Sequence, residues 1–498
     1  MQQRIIIYQM LPRLYANDTR KVIVGGTKRE NGCGKLSNIT TDNLDEIRNL
    51  GCNYVWYTGV IAHATKTDYT CYGEERDDAN KVKGEAGSPY AIKDYYAVSH
   101  DLIKQHNDRL FEWKKLVNRS HHSGLKVIMD FVPNHLAADY KGTQDPFTEY
   151  NYYPGKIHDG DWTDTAKLNY ENHDTWQKML NILLFWAETG VDGFRCDMAE
   201  LVPCDFWEWA IPQVKDKYKV IFIAEVYNPD RYREYIHKGH FDYLYDKVGL
   251  YDTLKAVVQG ASASLITQCW QSVDDINDHM LNFLENHDEV RIASDFYAGY
   301  GEKGRPALLV SALLRNNPFM LYFGQEFGER GMDTEGFSGK DGKTSIFDYW
   351  VLDCIYRWRK CKKQIRLSMT KNELEILRYY SKVLNFCNLQ KAIRQGDFYD
   401  IMYANYSNEQ MDTNKLYAFL RKRHEDLILV IANFSQEEQT ADIIIPQHAF
   451  DCLDIPQNIN RQATDLLSET QQNVYLSAQE KIHVRIPAND GRVLKIVL

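Results

Sequence analysis

Nine residues of this chain have the types and placement to do chemistry together: Asp130, Asn134 and His135 in DFVPNH, Arg195 and Asp197 in GFRCD, Glu225 in AEVY, and Glu285, His287 and Asp288 in ENHD. Each group closes a short apolar run that reads as a β-strand. A strand that ends on a buried Arg-x-Asp is costly unless those charges are paired or used. Taken singly, each carboxylate has an ordinary explanation as part of a structural ion pair. Four strand ends that share carboxylates, two histidines and an arginine make a collective case. Carboxylates clustered without a metal-ligand pattern suit cleavage of a glycosidic bond. One attacks or assists at the anomeric carbon; another is kept protonated by its neighbours and donates to the leaving oxygen. A metal-dependent hydrolase would want paired histidine ligands, such as H-x-H on the first strand, and Arg4–Met10 has none.

The elements that must position these residues alternate. Strands are predicted over Arg4–Met10, Asn53–Tyr57, Lys126–Val132, Gly190–Asp197, Val220–Glu225, Phe241–Tyr245, Met280–Leu284 and Phe319–Phe323. Helical patterns lie between them, among them Thr41–Leu50, Leu110–Ser123, Asn172–Thr189 and Pro306–Arg315. Eight strands alternating with helices predict an α/β fold, a closed (β/α)8 TIM barrel, whose C-terminal strand ends meet in one cleft. An open doubly wound sheet would want a glycine-rich phosphate turn after the first strand, and LPRLYAND is not one. The stretch from His135 to Asn169 is polar, aromatic and irregular, and a loop that long is usually functional. After a helical run at Glu373–Asn388 the pattern changes to short β-like pieces: Phe398–Tyr403, Leu416–Arg421, Leu427–Asn433, Thr440–Ile445, Val474–Leu476, Ile482–Ile486 and Val493–Val497. The expected organisation is a catalytic barrel over 1–390 with a short inserted domain at 136–170 after strand three, then a C-terminal antiparallel β-sandwich over 391–498.

The 498 residues carry a net charge of −10, and no basic footprint stands out, which argues against nucleic acid as a partner. No apolar run approaches the ~20 residues that span a bilayer. The N-terminal apolar run is too short for a secretory signal and reads as a strand. Ten cysteines without C-x-x-C spacing make a zinc site unexpected and point to a reducing, cytoplasmic compartment. Tyr (33) and Trp (10) supply aromatic faces of the kind that stack on sugar rings.

Together these motifs resemble the α-amylase family, glycoside hydrolase family thirteen. DFVPNH, GFRCD, AEVY and ENHD resemble its motifs on strands three, four, five and seven, in that order. AKLN at Ala166–Asn169, GCNYVWYTGV at Gly51–Val60, SPYAIKDYYAVS at Ser88–Ser99 and NPFMLYFGQE at Asn317–Glu326 agree with it. The resemblance spans about residues 4–330. It implies a retaining mechanism with Asp197 as nucleophile, Glu225 as general acid and then base, and Asp288 as a third carboxylate that holds substrate hydroxyls. His135 and His287 are similar to residues that hydrogen-bond the reacting sugar. Tyr90 is similar to the aromatic platform beneath that sugar. Arg195 is expected to keep Asp197 ionised, since a neighbouring cation lowers a carboxylate's pKa.

Departures from the family refine this. Many members bind calcium between the long loop and the barrel, and Asn134 resembles one ligand. The ligand histidine expected after the strand-four motif is Leu201 here, and Asn31–Thr40 lacks the aspartates of another metal loop. No cofactor is expected to be required. Ala91 after Tyr90 leans toward internal cleavage of α-1,4-glucan, and Glu200 resembles the neopullulanase and cyclodextrinase branch. The expected partner is an α-glucan or maltooligosaccharide substrate. A transglycosylase would use the same carboxylates and differ only in whether water or a sugar hydroxyl resolves the intermediate. A non-catalytic glucan-binding homologue would usually lack one of the three, and all are present.

Overall fold

The computed structural model describes residues 4–20, 22–104, 108–334, 339–360 and 368–498. Eight parallel strands close into a barrel: β1 (Ile6–Met10), β2 (Tyr54–Tyr57), β3 (Lys126–Phe131), β4 (Gly193–Cys196), β5 (Ile221–Ala224), β6 (Tyr243–Tyr245), β7 (Met280–Phe283) and β8 (Phe319–Tyr322). Every barrel strand expected from sequence forms, each shortened by a residue or more. β1 closes the ring on β8 through Ile6↔Phe319 to Gln9↔Tyr322 and pairs with β2 through Ile7↔Tyr54 to Met10↔Tyr57. The strands are mostly apolar because helices cover them outside and side chains fill the barrel inside.

The helices start and stop on local signals. Thr40 caps Thr41–Leu50 by accepting from the Asn43 amide, and Gly51 ends it with φ +113, a left-handed turn that suits glycine. Asp108 caps Arg109–His122, and Asn172 caps His173–Ala187.

The segment after β3 folds back on the barrel as a small antiparallel pair, His135–Ala137 against Thr165–Lys167. A second hairpin pairs Ile61–His63 with Ile92–Val98 after β2. From Asp397 onward the chain is antiparallel. A six-stranded sheet runs in the order β9 (Asp397–Asp400), β10 (Leu416–Arg423), β11 (Asp426–Asn433), β16 (Asp490–Val497), β13 (Ile459–Asp465) and β14 (Gln471–Leu476). A second sheet pairs β12 (Gln439–Ile444) with β15 (Lys481–Ile486). Strand β13 was not among the expected strands. Its sequence, INRQATD, has no apolar alternation, and it forms because β14 and β16 offer backbone partners on both sides. Among the described residues no helix is long and apolar enough to cross a membrane. The nine described cysteines are all unpaired; Cys361 lies outside the described residues.

Candidate active site

The site is built on one guanidinium. Arg195, in β4, is fully buried and reaches three strand ends at once. Its Nη1 donates to Asp197 Oδ1 at 2.8 Å and to Asp130 Oδ1 at 3.3 Å, and its Nη2 donates to Glu225 Oε2 at 2.6 Å. Nε donates to the Tyr245 hydroxyl at 3.2 Å, and the rings of Trp56 and Tyr90 lie 5.4 and 5.2 Å from its charge. An arginine out of water needs this many partners, and here β3, β4, β5 and β6 supply them.

Backbone strain helps to place Glu225. Met198, directly after Asp197, has φ +41, a left-handed conformation that costs a non-glycine residue roughly 1–2 kcal/mol. That turn aims the Met198 amide at Glu225 Oε2, 2.9 Å away. The Tyr227 hydroxyl donates to the other oxygen, Oε1, at 2.6 Å. Glu225 is thus held by three donors from three directions. Tyr227 had no role assigned from sequence; its position two residues after the strand-five carboxylate was the available signal.

Asp288 sits beside this group and is more open, with about 38 % of its side chain exposed. His287 Nε2 lies 2.9 Å from Asp288 Oδ2 and 2.5 Å from the Tyr90 hydroxyl, while its Nδ1 meets the Gln9 amide at 2.8 Å. Burial works against ionisation of Asp288. The His287 ring, by charge and hydrogen bond, and then Arg195 and Lys343, outweigh it and set the carboxyl at about 2. Tyr90 is 8 % exposed and stacks on His287, with ring centres 5.4 Å apart.

His135 lies against Asp197 from the loop side, Nε2 to Oδ2 3.9 Å. Burial lowers its pKa to about 4, so it faces the cleft neutral at ordinary pH. The small hairpin positions it: His135 pairs across the ladder with Lys167, and the Trp162 ring packs 5.3 Å from the imidazole.

Two expectations are corrected. First, Arg195 does lower the pKa of Asp197, but burial is the larger effect, and Glu225, Asp288 and Asp130 add to it. The Asp197 carboxyl is pushed well above its ordinary range. Second, Glu285 does not join the cleft. It is fully buried with Arg291, whose Nη1 donates to Oε2 at 3.0 Å, and the Ile292 amide donates to Oε1 at 2.7 Å. Both of its oxygens are used.

The calcium ligands implied by the family can be tested on the residues present. The Asn134 side-chain amide donates to Asp159 Oδ2 at 2.8 Å, and Lys167 Nζ lies 2.7 Å from Asp159 Oδ1. The one acidic side chain bonded to Asn134 therefore has both oxygens engaged, one by an ammonium that would repel a divalent cation. Among the described residues no three His, Cys, Asp or Glu side chains are grouped to hold a metal. These residues do not fit a calcium site, which wants six to eight oxygens. Glu200 turns its carboxylate to the chain after β5, accepting from the Tyr227 and Asn228 amides at 3.2 and 3.1 Å.

A closed parallel barrel with carboxylates gathered at the C-terminal strand ends defines a barrel glycoside hydrolase. The α-amylase catalytic-domain model matches residues 9–163 and 157–382, and the chain belongs to that family. It is an α-amylase-type enzyme. It is 27 % identical over 308 residues to the α-amylase MalA of Haloarcula japonica, a match covering 58 % of this chain and 41 % of that protein. It is 24 % identical over 488 residues to a cyclomaltodextrinase of a Bacillus species, covering 89 % of this chain and 75 % of the relative. A noncanonic maltogenic α-amylase of Thermotoga neapolitana, at 22 % identity, superposes over 99 % of both chains with a TM-score of 0.71.

Proposed function

We propose that this enzyme hydrolyses α-1,4-glucosidic bonds of starch-like glucans or maltooligosaccharides with retention of configuration. The observation that carries the reading is the bridge from Arg195 to both Asp197 and Glu225. Two carboxylates on one guanidinium suit the close spacing of a retaining pair, about 5–5.5 Å, better than the wider gap that admits a water.

In this reading Glu225 gives its proton to the glycosidic oxygen while Asp197 attacks the anomeric carbon. The C–O bond to the leaving sugar breaks, and a glycosyl ester forms on Asp197. Glu225, now a carboxylate, takes a proton from water. The water oxygen attacks the same carbon and releases Asp197. Asp288, kept ionised by His287, accepts from sugar hydroxyls; His135 and His287 hydrogen-bond the same ring, and Tyr90 lies beneath it. Arg195 neutralises charge as it shifts between the two carboxylates. The reading invokes no metal and no cofactor. The cyclomaltodextrinase and maltogenic relatives support short or cyclic maltodextrins as substrates, in keeping with Glu200.

Two measurements test this. NMR of the first product released from maltotriose should show the α-anomer; the β-anomer would sink the retaining mechanism. Product profiles on starch, pullulan, cyclodextrin and maltotriose should show α-1,4 cleavage. Absence of any α-1,4 product would overturn the substrate assignment.

A further inference from the structure

The turn after β4 and the chain after β5 are fastened to one another at Glu200. Its Oε2 accepts from the Tyr227 and Asn228 amides at 3.2 and 3.1 Å, and these are the carboxylate's hydrogen-bond donors among the described residues. Its backbone carbonyl accepts from Arg231 Nη1 at 2.8 Å. Arg231 turns its Nε to Glu234 at 3.2 Å rather than to the Glu200 carboxylate. Two residues after Glu200, the Val202 carbonyl accepts from the Tyr235 hydroxyl at 2.9 Å. Arg231 and Tyr235 both follow Tyr227 closely, in the turn Pro229–Arg231 and the helix Tyr232–His237.

Tyr227 depends on that fastening. β5 ends at Ala224, and the Glu225 amide still reaches the Cys196 carbonyl at 3.2 Å, but beyond it the backbone has left the ladder. Tyr227 makes two hydrogen bonds to described residues: its amide donates to Glu200, and its hydroxyl donates to Glu225 Oε1 at 2.6 Å. A hydrogen bond that short, to a carboxylate 2 % exposed, tolerates little displacement of the donor. The turn that carries Glu200 also carries Met198, whose amide donates to Glu225 Oε2 at 2.9 Å. One turn therefore addresses both oxygens of Glu225, one directly through Met198 and the other through Glu200 and Tyr227.

We propose that Glu200 is a positioning residue for the general acid: it holds the Tyr227 backbone so that the tyrosine hydroxyl keeps Glu225 aimed at the glycosidic oxygen. This rests on the reading of Glu225 as that acid. Glu200 exchanges no proton itself. The proton passes from Glu225 to the glycosidic oxygen as the bond to the anomeric carbon breaks, and a misaimed donor slows that step alone.

The test compares two substrates whose leaving groups differ. Maltotriose needs a proton on its departing sugar, whereas α-maltosyl fluoride loses fluoride without one. Glu200→Ala should lower kcat/KM on maltotriose about tenfold while changing it on the fluoride by less than about twofold. Turnover of the fluoride also shows that the variant is folded. Glu200→Gln keeps an acceptor oxygen for the two amides and should restore most of the loss. In a Tyr227→Phe background, Glu200→Ala should add less than about twofold on maltotriose, because both substitutions break one linkage. Equal effects on the two substrates, no recovery in Glu200→Gln, or full additivity with Tyr227→Phe would each overturn the role. Glu225→Gln, measured alongside, separates the two levels of the argument. If it loses as much on the fluoride as on maltotriose, the acid reading fails and this role with it. If it spares the fluoride and Glu200→Ala shows no such selectivity, the positioning role alone fails.

Discussion

Two buried arginines stand near the C-terminal ends of the barrel strands, and they hold their carboxylates in opposite conditions. Arg195 gathers Asp130, Asp197 and Glu225 beside the partly open Asp288. Arg291 holds Glu285 in a sealed interior, next to Glu326, which accepts from the Tyr8 hydroxyl at 2.6 Å and the Gly324 amide at 2.9 Å. Burial raises both sealed glutamates to about 7. The chemistry of the two groups is alike: an arginine, acids and apolar walls. What separates them is position: the Arg195 group lies beside Asp288, whose side chain is about 38 % exposed, while Glu285 and Glu326 are fully sealed in the core. Strand-end carboxylates alone therefore do not mark an active site; access does.

The largest expected effects fall on the Arg195 side. Glu225→Gln should lower kcat on maltooligosaccharides by roughly 10²–10⁴-fold, the usual size of a general acid–base contribution, with native circular dichroism. Asp197→Asn should fall as far and form no covalent adduct with a fluoro-sugar, read by mass spectrometry; an adduct at that position in the variant would reassign the nucleophile. Glu285→Gln sets the opposite expectation. Breaking a buried pair costs about 3–5 kcal/mol, so this variant should lose stability in denaturant melts while each folded molecule keeps nearly wild-type kcat. A kcat loss matching that of Glu225→Gln would erase the contrast.

Tyr227→Phe sharpens it further. Losing the donor on Glu225 Oε1 should cost about tenfold in kcat/KM. The pH profile carries a sign as well. kcat/KM should fall on the alkaline side, because the general acid loses its proton. A hydrogen bond to a carboxylate favours its ionised form, so removing it should move that alkaline limb to higher pH. A limb unmoved in Tyr227→Phe would place the controlling proton elsewhere. The smallest effect is expected at Asp159 and Lys167. Exhaustive chelation should leave kcat unchanged, and Lys167→Met should cost under ~1 kcal/mol, since the pair is partly exposed. Recovery of lost activity by added calcium would show that a metal does bind there.

The amino-acid sequence by itself determined the barrel strands and their order, because short, mostly apolar runs have one stable use when helices alternate with them. It also marked Asp197, Glu225, Asp288, Arg195, His135 and His287, because charge at the end of an apolar strand is conspicuous; Tyr90 was marked only by the family resemblance. It did not reveal β13, whose polar residues take their conformation from two neighbouring strands. Nor did it separate Glu285 from Asp288, three residues apart on the same loop. One is sealed against Arg291 and the other opens beside Arg195, and the direction of a side chain leaving a strand end is set by what packs around it. The balance on Asp197 was likewise out of reach, since one arginine's pull had to be weighed against burial and three carboxylates brought in from other strands. Local pattern decides which residues are charged and where strands stop. Only the closed barrel decides which of those charges share a cleft.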